Sequence, residues 1–296
     1  MVKMLKSKEE LANHIASLAQ RAILYEVSTT PKPGLVDRDN SGSHKDMDFF
    51  TFMASSSVLY RGFFQCALEG LYFDDADSTK LLNKIRAHGF ECETSMFEAT
   101  SGVNTHKGII FSLGILSAII GNLYKKYGFQ NFPMEIICGE VKKVAKDLTS
   151  RDFKDIYSKK VLTHGEGLYK EFGYKGIRGE IENGFITIQE NVVQIIRDSA
   201  INKQFSMNDL FLEIIVNIMA ESEDTNVIIR GGIDGLKIVK SISRDFLKSG
   251  GMKQCGAKEK LESINEDFIK KNLSPGGSAD LLAVSIFMGM IEGSIK

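Results

Sequence analysis

Apolar residues recur three and four positions apart along most of this 296-residue chain, and that spacing limits the fold more than any other feature. Side chains so spaced share one face of an α-helix, and each such face needs a partner to bury it. Ser7 and Glu10 form a capping-box pattern ahead of the face Leu11, Ile15, Leu18, Ala22 and Tyr25. A second helix is expected from about Met47, carrying Phe50, Ala54, Ser57 and Arg61, a third over 81–85, and a fourth in the apolar segment after His106. The same spacing predicts helices over 134–148, 190–199, 209–220, 233–247, 258–270 and 278–291. Sustained period-two alternation is almost absent, apart from the short run Phe185, Ile186, Thr187, Ile188. The expected fold is all-α, a single-domain multi-helix globular bundle with functional loops at the helix ends. No internal repeat, low-complexity tract or linker marks a domain boundary.

Proline supports this reading. The chain has only four, Pro31, Pro33, Pro133 and Pro275. Proline interrupts helices, so a helical protein confines it to helix starts and loops. Pro133 suits a helix start, and the other three fall in polar, glycine-containing loops.

Bulk properties exclude several functions. Lys+Arg 37 against Asp+Glu 38 leaves a formal net charge of -1, so no global positive field exists to hold nucleic acid. Anionic ligands must instead meet local clusters. The segment MVKMLKSKEE has no apolar core of a signal peptide. The apolar stretch 108–120 contains Ser112 and Ser117 and is too short for a bilayer, so no membrane role is expected. Cys66, Cys92, Cys138 and Cys255 form no CxxC pair and read as reduced thiols, which predicts a cytoplasmic protein.

Five polar loops carry residues capable of chemistry. The first, 26–46, presents Lys32, Arg38, His44 and Lys45 beside Asp37, Asp39 and Asp46, on a segment stiffened by two prolines. Such a mixture suits a phosphate–Mg²⁺ site, because Mg²⁺ takes one or two carboxylates plus phosphate oxygens; a charged connector is the plainer alternative. The second, 100–108, crowds Asn104, Thr105, His106 and Lys107 at the mouth of an apolar helix, where free N–H groups favour anions. An ordinary cap with a structural His106 is the alternative. The third pairs Thr163, His164 and Glu166 with Arg178 and Glu180, carboxylates beside cations that suit proton transfer or charge stabilisation, or else two surface turns. The fourth, 223–232, offers Asp224 and Asn226 as oxygen ligands and Arg230 as a phosphate clamp, or else a helix end capped by Gly231. The fifth, 272–280, places Ser274, Pro275, Gly276 and Gly277 at a helix start, where backbone N–H groups can approach phosphate, or else a flexible hinge. P-loop, GxGxxG, HExxH, nucleophile-elbow and kinase signatures are absent.

Six blocks in order, EVSTTPKPGLVDRDNSGSHKDMDFF, GVNTHKG, THGEG, GIRGE, DTNVIIRGG and NLSPGGSADLLA, resemble the signatures of the triphosphoribosyl-dephospho-CoA synthase family. The resemblance spans Glu26 to Ala283. It implies a transferase for ATP and 3′-dephospho-CoA. The 2′-hydroxyl of dephospho-CoA attacks the anomeric ribose carbon of ATP, and adenine leaves. The product would pass to a transferase acting on the acyl carrier protein of citrate lyase or malonate decarboxylase. An oxocarbenium-like state needs a nearby carboxylate, the hydroxyl needs a base and adenine needs a proton donor. Glu166, Glu180 and His106 are the expected catalytic groups. Lys32, Arg38, His44, Lys45, Asn104, Lys107, Arg178, Arg230, Ser274, Gly276 and Gly277 are expected at ATP and its phosphates. Asp37, Asp46 and Asp224 are the expected Mg²⁺ ligands. Which residue takes which role stays open at this level. A competing enzyme class is an all-helical, Mg²⁺-dependent hydrolase of a nucleotide or ADP-ribosyl N-glycosidic bond. A non-catalytic nucleotide-binding regulator is a third.

Overall fold

A computed structural model describes residues 6–296, and the first five residues of MVKMLKSKEE lie outside it. The chain enters α1 (Lys8–Ser28) through the expected capping box: the Glu10 N–H donates to Ser7 Oγ at 3.1 Å and the Ser7 N–H to Glu10 Oε2 at 2.7 Å. The loop 29–48 leads to α2 (Phe49–Tyr72), whose Thr51 N–H donates to Asp48 Oδ1 at 2.8 Å. Then come α3 (Lys80–Ala99) and α4 (Lys107–Tyr127), the apolar helix expected after His106. From Ser112 to Tyr124 every residue of α4 is buried. Among the described residues α4 alone is long and apolar enough to cross a membrane, yet 83% of that stretch is buried inside the protein, so it is the core helix.

Small residues set how closely α2 and α4 meet. A Cβ on Gly70 would lie 1.9 Å from the Ala118 carbonyl oxygen, and one on Gly121 would lie 2.3 Å from the Ala67 carbonyl oxygen. The two backbones therefore touch, a packing that no larger side chain allows.

Short helices follow: α5 (Met134–Val144), α6 (Leu148–Asp152), α7 (His164–Phe172), α8 (Gly176–Glu182), α9 (Ile186–Asn191) and α10 (Val193–Asn202). The last group is α11 (Met207–Glu221), α12 (Thr225–Lys248), a 3₁₀ turn (Gly251–Lys253), α13 (Ala257–Lys270) and α14 (Gly276–Glu292). No strand occurs among the described residues. Helix α14 is buried continuously from Leu281 to Ile291 and packs against α1, α4 and α11, closing one hydrophobic cluster that runs from Leu11 to Ile295.

The structure departs from the spacing in four places. The run from Phe185 to Ile188 is no strand: Phe185 takes a left-handed conformation (φ 59°) and starts α9. The helix expected over 134–148 breaks where Asp147 is left-handed (φ 59°). The helix expected from Ile233 belongs to a longer α12 that starts at Thr225 and kinks at Gly232 (φ 66°). The block around Arg230 is thus a short first arm that ends at the non-helical Gly232, one residue past the Gly231 expected to cap a helix end there. The third loop is not a pair of turns but the starts of α7 and α8.

Candidate active site

The N-terminal ends of α4, α7, α12 and α14 converge, with α8 beside them. Each such end carries the positive pole of its helix, a setting that attracts anions. Between them lies a cleft with two joined chambers. The smaller, about 250 Å³, is walled by Glu26, His44, Phe52, Arg230, Ser274 and Gly276 among others. The larger, about 960 Å³, is walled by Glu93, Phe97, Phe111, Glu166, Arg178, Glu180, Glu190, Glu223, Asp224 and Gly277 among others. Asn104, Lys107, Gly108, His164, Asn226, Ile229 and Asp280 face both, so they form the junction.

At the mouth of α4, the Lys107 N–H donates to Asn104 Oδ1 at 3.2 Å, which ties the preceding loop to the first residue of the helix. The Lys107 ammonium lies 2.9 Å from Glu93 and is half exposed to the cleft. In the smaller chamber His44 Nε2 and Ser274 Oγ are 2.8 Å apart, and burial, then Arg230, lowers the His44 pKa against the pull of Asp46. Arg230 is held by the Asn272 carbonyl (3.1 Å), Asn272 Oδ1 (2.8 Å) and the Ser43 carbonyl, which ties α12 to the first and fifth loops. Asn226 occupies the space that a Cβ on Gly276 would need (2.9 Å to Nδ2).

In the larger chamber Glu166 closes a capping box with Thr163 and sits 2.5 Å from Lys159. Those contacts hold its carboxyl down at about 2. Glu180 is the opposite case: burial raises its pKa, against donors from Thr187 Oγ1 (2.5 Å) and N (3.2 Å) and with Glu223 and Glu190 adding like charge. Arg178 pairs with Asp152 at 2.9 Å and lies against Phe111 and Phe153.

Of the other residues singled out in the sequence, Asp224 lines the larger chamber, while Asp37, Lys32, Arg38, Lys45, Asp46 and His106 sit off the cleft wall. Asp37 is buried and saturated: Oδ2 accepts from Thr30 Oγ1 and the Lys32 N–H (both 2.9 Å), and Oδ1 from the N–H groups of Asp39 (2.9 Å) and Asn40 (3.0 Å). It organises the first loop. Lys32 is buried against Glu26, which itself faces the smaller chamber. Arg38 and Lys45 are exposed and line neither chamber, and Asp46 is an exposed neighbour of His44 at 3.7 Å. His106 is fully buried between Phe52 and Ser55 Oγ (2.6 Å to Nδ1), with Nε2 unpartnered, and it too lines neither chamber. Burial, reinforced by Lys32, drops its pKa to about 3, so it stays neutral. Asp224 caps α12: Oδ1 accepts from the Asn226 N–H (3.0 Å), and Oδ2 from the Ser278 N–H (2.8 Å) and hydroxyl (3.0 Å).

One residue at the junction was not singled out beforehand. Asp280, in the second turn of α14, reaches the first turn of α4; a Cβ on Gly108 would fall 1.9 Å from its Oδ2. The only sequence signal was a glycine directly after Lys107, which has meaning only once its distant partner is known.

Comparison with known proteins gives one answer. The family described as ATP:dephospho-CoA triphosphoribosyl transferase matches residues 12–296. A probable 2-(5''-triphosphoribosyl)-3'-dephosphocoenzyme-A synthase of Streptococcus equi subsp. equi is 37% identical, covering 97% of this chain and 99% of the relative. A protein of the same description from Photobacterium profundum is 37% identical over 94% of this chain and 87% of its own length. The 2-(5''-triphosphoribosyl)-3'-dephosphocoenzyme-A synthase of Klebsiella pneumoniae is 35% identical over 94% of this chain and 90% of its own. No solved structure matches the chain.

Proposed function

The chain belongs to the ATP:dephospho-CoA triphosphoribosyl transferase family, and from that premise we infer that it joins ATP to dephospho-CoA with release of adenine. The observation that carries this reading in the fold is the pair of chambers meeting at one junction, a geometry for bringing two substrates together at one reacting carbon.

In this reading the triphosphate takes the smaller chamber, among Lys107, Arg230 and His44. Dephospho-CoA takes the larger chamber, where Phe97, Phe111 and Ile186 offer apolar faces and Arg178 a cation. The anomeric carbon then lies near the junction. Glu180, with its raised pKa, is the group suited to hand adenine its proton. Glu166, already ionised and paired with Lys159, acts by fixing the first turn of α7, from which His164 reaches the junction.

Magnesium is expected as the counter-ion of the triphosphate. The chain's own carboxylates do not assemble a site for it. Asp37 and Asp224 are occupied by internal donors, Asp46 stands on an exposed loop, and no group of three metal-ligating side chains occurs among the described residues. The ion therefore enters on the phosphates, and no step is assigned to it. The free thiols suit a reducing compartment, and the protein is placed in the cytoplasm. Its product is destined for a transferase that loads the acyl carrier protein of citrate lyase or malonate decarboxylase.

The test is incubation with ATP, Mg²⁺ and dephospho-CoA, with chromatography and mass detection. Equal amounts of adenine and coupled product are expected. ADP as the main nucleotide product would overturn the reading. Adenine formed equally fast without dephospho-CoA would favour an N-glycosidic hydrolase instead.

A further inference from the structure

We propose that Asp280 is the catalytic base that takes the proton from the attacking hydroxyl of dephospho-CoA. The proposal deepens the function inferred above and rests on it. Asp280 is one of the few side chains that face both chambers, and it is the only carboxylate among them. A base for this reaction must stand where the two substrates meet, within hydrogen-bond reach of the nucleophile.

Its position is fixed from both sides. Helix α14 holds its backbone, and the missing side chain of Gly108 gives its carboxyl room against the first turn of α4 (1.9 Å from that Cβ position to Oδ2, 3.1 Å to Oδ1). The charged groups around it are otherwise engaged. Glu26 of α1 pairs with Lys32, Lys107 of α4 pairs with Glu93, and Asp224 of α12 is capped by donors. Among the described residues no cation forms an ion pair with Asp280. Burial with Asp224 and Glu26 nearby raises its pKa against the Ile109 N–H, so it acts as a base in its ionised form, whose share grows as the pH rises, and that form is a stronger base than an exposed aspartate.

The step balances. The oxygen of the 2′-hydroxyl bonds to the anomeric carbon as the C–N bond to adenine breaks, and the electron pair of that bond leaves with adenine. The hydroxyl proton moves to Asp280, adenine takes one from Glu180, and solvent returns both groups to their starting states.

Asp280→Asn, which keeps shape and removes the basic oxygen, is the test. Adenine release should fall about 10²–10⁴-fold. Calorimetric affinities for ATP and for dephospho-CoA should stay within about threefold, and the thermal melt should hold. A rate within tenfold of the wild type overturns the proposal, as does a lost rate that is matched by lost binding. If the variant does not fold, the wild-type pH profile decides: kcat should rise with pH through an ionisation above the usual aspartate range, and a flat profile between about pH 5 and 8 overturns the proposal. A wild type that releases no adenine sinks the inferred function; a competent wild type with a competent Asp280→Asn sinks only the role of Asp280.

Discussion

Lys107 stands at the positive end of α4 with Glu93 2.9 Å away, so the cost of a cation at that pole is offset by a neighbour. Because the pair is half exposed, its loss should change stability by no more than about 1 kcal/mol. A triphosphate in the chamber gains much more from the same ammonium, about 1.5–3 kcal/mol for a charge-assisted contact. Lys107→Ala should therefore cost roughly tenfold or more in kcat/KM for ATP with little change in Tm. An early melt with normal ATP kinetics would make Lys107 structural. His106 makes a different prediction. Its native pKa of about 3 lies below the ordinary 6.5, so below pH 6.5 the unfolded chain binds a proton that the native state refuses. The stability that depends on neutral His106 is complete above pH 6.5 and drains away as the pH falls toward 3. The slope approaches about 1.4 kcal/mol per pH unit. Urea melts between pH 4 and 7 should show a shallower decline in His106→Gln; parallel curves would refute the assignment. Neither His106 nor Asp37 could be placed from sequence. A buried histidine and a saturated aspartate look like catalytic ones until their partners are known.

The helix starts do most of the positioning. Thr163 and Glu166 cap α7, which carries His164 to the junction, and Asp224 both caps α12 and binds the start of α14. Thr163→Ala should cost about 0.5–2 kcal/mol of local stability and lower turnover through disorder at the start of α7. Hydrogen exchange of the α7 amides checks the first part, and unchanged exchange would deny the cap its role. These elements also mark how far sequence reaches. Long helices with a clear apolar stripe, α1, α2, α4, α11 and α14, were legible. The helix seen only as 81–85 proved to be α3 over twenty residues, because its later turns are largely polar and half exposed. The short α7 and α8 read as turns because glycines in THGEG and GIRGE mask their capping signals. The first arm of α12 was legible only as a helix end near Gly231, and it ends at Gly232.

At the scale of the molecule, all five chemical loops were legible as such, and all five supply residues to the shared wall of the cleft or to the chambers beside it. What stayed hidden was which of their residues face inward. That is set by packing between helices far apart in sequence. One whole-molecule prediction concerns magnesium. EDTA in excess should abolish turnover, whereas Asp46→Asn should leave the Mg²⁺ requirement unchanged, because the ion rides on ATP; a raised requirement in that variant would return Asp46 to the ligand set. Finally, α1 packs against α14, and the junction needs Gly108 from one part of the chain and Asp280 from another. A growing polypeptide therefore has no partial version of the site to fold into. Until α14 leaves the ribosome, the apolar surfaces of α1 and α4 have lost a covering helix and are open to chaperones. During timed synthesis, activity should appear in one step at that release rather than build up with chain length, and the demand for chaperones should end in the same interval.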